Sequence, residues 1–256
     1  MASLNSVQLK IFRATIHIES LKSELEGYFK ENPGKMVRQP HTCENEAIFK
    51  FVPSGPIPAR FGLIIGDVLQ NLRSSLDYLV WELVLTANGQ PTEKNMFPVC
   101  STVELFEEQI RRHRLDGVSP DAVAEIKGLQ PYHLGKDFNK SLLWTLDEFS
   151  NINKHRRILL TSLMVSTVPK ENFVIQDGQV WVHEGPGPVR IFDSDTQFGP
   201  FPIIDGKLQV QMDTQIAAAV AFDEGPTKGI EISFCAGYWA YYISQLLLPR
   251  FKKFFL

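Results

Sequence analysis

The stretch 59–87 constrains the fold more than any other part of this chain. Pro53-Ser54-Gly55-Pro56-Ile57-Pro58 makes a stiff turn ahead of it, and Asn88-Gly89 with Pro91 just beyond stops it. A long helix is therefore bracketed at both ends. A helix turns by about 100° per residue, so Ile65, Val68, Leu69, Leu72, Leu76, Leu79, Val80 and Leu83 fall within an arc of roughly 120°. That arc needs a second layer to cover it. The other side carries Asp67, Gln70, Asn71, Arg73, Ser74 and Asp77, but also Leu63, Tyr78 and Trp81. Large apolar groups among the polar ones point to something that covers this side as well.

The pattern predicts a second long helix over 140–165. Trp144, Glu148, Asn151, His155, Ile158 and Leu159 share one face, and Leu142, Leu146, Phe149 and Leu160 the opposite one. A helix apolar on both sides is buried between layers. Glu148, Asn151 and His155 then sit in a partly buried stripe and need partners. Arg73 is the natural donor, and Asp67 and Asp77 are the natural acceptors. Arg73 and Asp77 are four residues apart and can pair on one helix face. The expectation is that the two helices pack with Asn71-Leu72-Arg73-Ser74-Ser75-Leu76-Asp77 facing Glu148-Phe149-Ser150-Asn151-Ile152-Asn153-Lys154-His155-Arg156. Such a cluster is either a hydrogen-bond network that sets helix register or a functional site. The residues alone leave both open.

Around these helices the chain has a simple order. Residues 4–31 read as a helix in which Leu9, Phe12, Ile16, Leu21, Leu25 and Phe29 recur at spacings of three to five, and Asn32-Pro33-Gly34 ends it. A hairpin is expected over 35–52, short helices over 102–112 and 120–127, and a loop over 129–138. After Pro169 the texture changes to short alternating runs at 173–175, 180–182, 189–191, 208–212 and 230–234, the mark of an antiparallel sheet. A final helix is expected over 236–248. The fold class is therefore α+β: a helical bundle carrying a hairpin, packed with a C-terminal antiparallel sheet and a last helix. The natural units are 1–168 and 169–256, either separate or fused into one domain.

Composition narrows the partners. The net charge of −3 gives the chain no overall pull toward nucleic acid or anionic membrane. Cys43, Cys100 and Cys235 are odd in number and far apart, which argues against a disulfide framework or a zinc site. Reduced thiols suit the cytoplasm, and the first residues lack the pattern of a secretory signal. The longest apolar run, 238–248, is too short to span a bilayer. The tail from Tyr238 is aromatic and basic. It could lie on a membrane surface, cover the sheet, or form a homodimer contact through the C-terminal helix. There is no phosphate-binding glycine loop and no nucleophile elbow, and no cofactor is implied.

Three pieces of text carry a resemblance: Arg60-Phe61-Gly62-Leu63-Ile64-Ile65-Gly66-Asp67, then Asn71 to Asp77, then Asn153-Lys154-His155-Arg156. Here the chain resembles a widespread family of bacterial and phage proteins. The likeness covers mainly residues 58–160 and implies no established activity. It is also similar to HEPN domains, helical bundles that are often ribonucleases of defence and toxin systems. Those enzymes set an Arg and a His a few residues apart on one helix. The analogous pair here, Arg73 and His155, comes from different helices.

Two functions compete. One is a metal-independent ribonuclease with His155 as general acid/base and Arg73 holding the phosphate through its planar fork. Asn71, Asn151 and Glu148 would orient the pair, and Lys154, Arg156 and Arg157 would be the basic approach for RNA, with Asp77 a further catalytic candidate and Asp67 a further binding one. Arg111, Arg112, His113 and Arg114 would add a second basic patch. The other is a binding or structural module of a bacterial or phage accessory or defence system, with the same residues as a buried network. A metal hydrolase built on Asp67, Glu148 and His155 lacks the usual ligand spacing, because Glu148 and His155 are seven residues apart.

Overall fold

The structure is a computed structural model that describes residues 2–32, 35–166 and 216–255, with strand backbone at 173–176, 179–182, 191–192, 197–204 and 207–208. It is an α+β fold: a helical bundle, small antiparallel sheets and a C-terminal helix.

Two long helices form the outer layer, α1 (Asn5–Glu31) and α2 (Ala59–Thr86). They run antiparallel. Ser6 Oγ donates to Glu82 at 2.8 Å near one end, and Arg60 pairs with Glu24 near the other. All eight apolar residues predicted for the inner arc of α2 are buried. The phase of α1 matches the expectation at Leu21 and Leu25 but differs from it in the first half of the helix. Its buried stripe is Val7, Ile11, Ala14, Ile18, Leu21, Leu25 and Tyr28, whereas Leu9, Phe12 and Ile16 point outward. Both sets recur at helical spacing, so periodicity alone could not choose between them.

The two short helices match their caps. Thr102 accepts from Leu105 N ahead of α3 (Val103–Arg111), and Ser119 accepts from Ala122 N ahead of α4 (Pro120–Gly128), with Pro120 in the first turn. The segment expected as a loop after Leu129 winds into a 3-10 turn, Pro131–Lys140.

The next helix is much shorter than predicted. α5 (Leu142–His155) ends where Arg156 turns to extended backbone, and the chain continues as strand β3 (Leu160–Ser166). The apolar run that follows Arg157 finds a better use in a ladder. β3 pairs over its whole length with β9 (Ile216–Phe222) and at its far end with β6 (Ile191–Phe192), giving the order β6-β3-β9. A second sheet joins the predicted hairpin, β1 (Lys35–Gln39) and β2 (Glu46–Val52), to β7 (Gln197–Ile204) and β8 (Lys207–Leu208). β4 (Phe173–Gln176) and β5 (Gln179–Val182) form a third pair. Strands from both sides of residue 168 thus share sheets. Most of the alternating runs expected at 189–191 and 208–212 lie outside the described residues.

The run 230–234 is not a strand. Only an isolated bridge joins Glu231 to Ala221, and Glu231 instead caps α6 (Ile232–Tyr241). The chain then passes through one π turn, Tyr242–Leu247, into a 3-10 tail, Leu248–Phe254. The tail folds back on α4, with Phe251 buried and both Arg250 and Lys253 paired to Glu125. Phe149 of α5, Phe222 of β9 and Trp239 of α6 stack where bundle and sheet meet, with ring centroids 4.3 Å apart for the first two and 5.8 Å apart for Phe149 and Trp239. No helix among the described residues is long and apolar enough to cross a membrane.

Candidate functional site

The second face of α2 decides what the polar clusters do. Gly62, Gly66, Arg73 and Asp77 fall on one stripe at about 100° per residue, and α5 lies along it. At one end the backbones approach closely. A Cβ on Gly66 would stand 2.6 Å from Asn153 Oδ1, and one on Gly62 would stand 3.3 Å from Arg157 Cγ. These glycines leave room for the Asn153-Lys154-His155-Arg156 segment to cross.

At the other end sits Arg73. Its Nε donates to Asp147 Oδ1 at 2.7 Å, Nη1 to Asp77 Oδ1 at 2.7 Å, and Nη2 to the carbonyl of Phe97 at 2.8 Å. Phe97 N donates back to the same Asp77 oxygen at 2.9 Å. One guanidinium therefore ties α2, α5 and the loop before α3 together. The Arg73 side chain is 12% exposed, against 21% for Asp147 and 34% for Asp77. Burial works against its charge, but the two carboxylates outweigh burial and hold its pKa above the ordinary value. The anchored loop is pinned again by Gln130, whose amide donates to the carbonyls of Pro98 and Ile126 and accepts from Cys100 N.

From Asp147 the network runs outward. Asn151 Nδ2 donates to Asp147 Oδ2 at 3.2 Å, and Lys154 Nζ donates to Asn151 Oδ1 at 3.2 Å. The Ser150 hydroxyl, one turn from Asp147, is buried with no hydrogen-bond partner among the described residues. The remaining candidates lie apart. Asn71 donates to the backbone of Asp67 on the exposed side of α2. Arg156 pairs with Glu224, which also accepts from Leu159 N at 2.7 Å. That clasp holds the end of α5 against the turn after β9, and Arg156 keeps the Glu224 carboxyl below its usual range. Glu148 is half-buried and His155 exposed.

The structure brings Asp147, not His155, to Arg73. His155 lies eight residues further along the helix, roughly 12 Å along its axis. Asp67, Glu148 and His155 do not converge: among the described residues no group of three or more acidic, histidine or cysteine side chains could hold a metal ion. An open cleft of about 350 Å³ lies elsewhere, lined by Thr92, Lys94, Asn95, His113 and Asp116 among others, and none of the residues singled out on α2 or α5 reaches it.

Sequence reasoning missed Asp147, Phe97 and Glu224. Asp147 stands three residues before Ser150 and four before Asn151, so it was legible as a neighbour of the cluster once the helix phase was known. A backbone carbonyl such as that of Phe97 leaves no mark in the sequence. No protein-family model, curated protein or solved structure matches the chain.

Proposed function

We propose that the chain is a binding or structural module, of the kind a bacterial or phage accessory or defence system uses in the cytoplasm, and that the Arg73 network is its internal brace. One observation carries this reading. Each nitrogen of the guanidinium that could hold a phosphate already donates, to Asp147, Asp77 and the Phe97 carbonyl, and the group is largely out of solvent. A phosphate would have to displace two carboxylates that repel it. The resemblance at the three segments supports the biological setting. The free thiols, two of them buried and far apart in sequence, support a reducing compartment.

The test compares Arg73→Ala and His155→Ala for stability and for RNA cleavage. Loss of Arg73 leaves two carboxylates and a carbonyl without their donor, which costs about 2–3 kcal/mol when such a pair is partly buried. The expected outcome is a melting temperature lower by roughly 5–10 °C for Arg73→Ala, little change for His155→Ala, and no cleavage of RNA that depends on His155. Cleavage by the wild type that His155→Ala abolishes, with its stability intact, would overturn the proposal in favour of a ribonuclease.

A further inference from the structure

Two apolar stripes face away from the core on neighbouring helices. Leu9, Phe12 and Ile16 on α1 are 58%, 62% and 42% exposed, and Tyr78, Trp81 and Leu85 on α2 are 42%, 44% and 37% exposed. Each stripe repeats at three and then four residues, the spacing of a helix–helix seam. The stripes adjoin. Ser6 reaches Glu82, and the Lys10 ammonium stands 5.3 Å from the centre of the Tyr78 ring. Turning each helix by about 100° per residue from these contacts brings both stripes to the same outer surface of the α1–α2 layer.

Scattered apolar side chains on a surface need no explanation, but six large ones on one face do. Together they present on the order of 500 Å² of apolar surface, the upper end of what a monomer carries in its largest patch. A stable interface takes about 800 Å² from each partner, so this patch with its polar rim is large enough to be one side of it. Two of the three α1 residues, Leu9 and Ile16, also exchange places when the helix is reversed. Leu9 and Ile16 stand equally far from the midpoint between Phe12 and Arg13. An antiparallel contact of two copies about that midpoint sets Leu9 against Ile16 and the Phe12 ring against the Arg13 guanidinium. Lys10 then opposes Thr15 and Glu19 opposes Ser6, so along α1 no like charges stand directly opposite each other.

We propose that the chain forms a twofold homodimer through the outer face of α1 and α2. The proposal rests on the reading of the chain as a binding module and names a second copy of the chain as its partner. The C-terminal helix is a poorer candidate for that contact. Ile232, Cys235, Ala236 and Trp239 are already buried inside the monomer, and the tail beyond is held on α4.

The experiment is analytical ultracentrifugation of the full chain, of Phe12→Asp and Trp81→Ser separately and together, and of Tyr241→Ser as a control on the exposed side of the C-terminal helix. The expected result is a wild-type dimer, association weakened at least tenfold in the outer-face variants with an unchanged far-ultraviolet spectrum, and an intact dimer for Tyr241→Ser. A wild type that stays monomeric over the whole accessible concentration range overturns the proposal, as does a dimer that survives the double variant. A monomer that instead floats with phosphatidylglycerol vesicles also overturns it and assigns the face to a lipid surface. These readouts separate from those for Arg73 and His155. A monomer whose stability depends on Arg73 defeats only the dimer, and a dimer that cleaves RNA through His155 defeats only the reading as a module.

Discussion

Arg73 illustrates how much of a polar cluster can be read from residue spacing. The separation of four from Asp77 predicts their pairing, and the two meet at 2.7 Å. The partner on α5 is harder to read, because Asp147 and Glu148 are adjacent carboxylates about 100° apart on the helix and only the true phase tells which one faces α2. The glycines across the same contact make a sharper test. An alanine at Gly66 would gain about 1 kcal/mol of helix propensity. Its Cβ would nevertheless stand 2.6 Å from Asn153 Oδ1, so the short amide must move or the helices must part. Gly66→Ala is expected to destabilise by about 1–2 kcal/mol overall. In the Asn153→Ala background most of that cost should vanish, a coupling of about 1 kcal/mol in a double-mutant cycle followed by denaturant unfolding. Strictly additive effects would show that the two side chains do not compete for the space.

At the scale of elements, caps and stops were the best guides. Thr102, Ser119 and Pro120 start their helices where their chemistry says they should. The errors arose where a segment had two uses. The apolar run after Arg157 suits a helix or a strand, and it becomes β3 because β9 offers it a ladder. The run Ile230-Glu231-Ile232-Ser233-Phe234 alternates like a strand, yet Glu231 turns its carboxylate onto the N–H groups of Ser233 and Phe234, at 2.9 Å and 2.6 Å, and starts α6. That cap carries a pH signature. Burial pushes the Glu231 carboxyl above its usual value, and the hydrogen bonds it accepts only partly oppose this. A carboxyl whose pKa is higher in the folded than in the unfolded chain binds its proton more tightly when folded. Its contribution to stability is therefore present below the unfolded value of about 4.3 and is lost as the pH rises through the folded one. Glu231→Gln keeps an oxygen for the cap but cannot ionise. Thermal unfolding of both proteins from about pH 4 to about pH 7 should show the wild type losing stability relative to the variant as the pH rises. The opposite trend, or parallel curves, would exclude this role for Glu231.

For the whole molecule, the thiols report on the packing. Cys43 is exposed, while Cys100 and Cys235 are buried. Burial pushes the Cys100 thiol up to about 11 and the Cys235 thiol up to about 12. The thiolate is the reactive form, so neither buried cysteine should react at neutral pH until the chain opens. A thiol reagent should titrate one fast group in the native protein, lost in Cys43→Ser, and three in denaturant. Rapid native labelling of Cys235 would mean that the α6 core opens far more readily than its burial implies.

The α+β class, the inner arc of α2, the hairpin, the two short helices and the Arg73–Asp77 pair were all legible in the residues. Each of these depends on spacing or on a turn within a few residues, where the chain's own geometry sets the outcome. Long-range packing set the rest. It turned Val7, Ile11 and Ala14 inward and Leu9, Phe12 and Ile16 outward, stopped α5 at His155, and brought Asp147 and the Phe97 carbonyl to Arg73. These outcomes depend on which distant segment arrives to bury or pair a group, and burial is a property of the assembled layers, not of the local run.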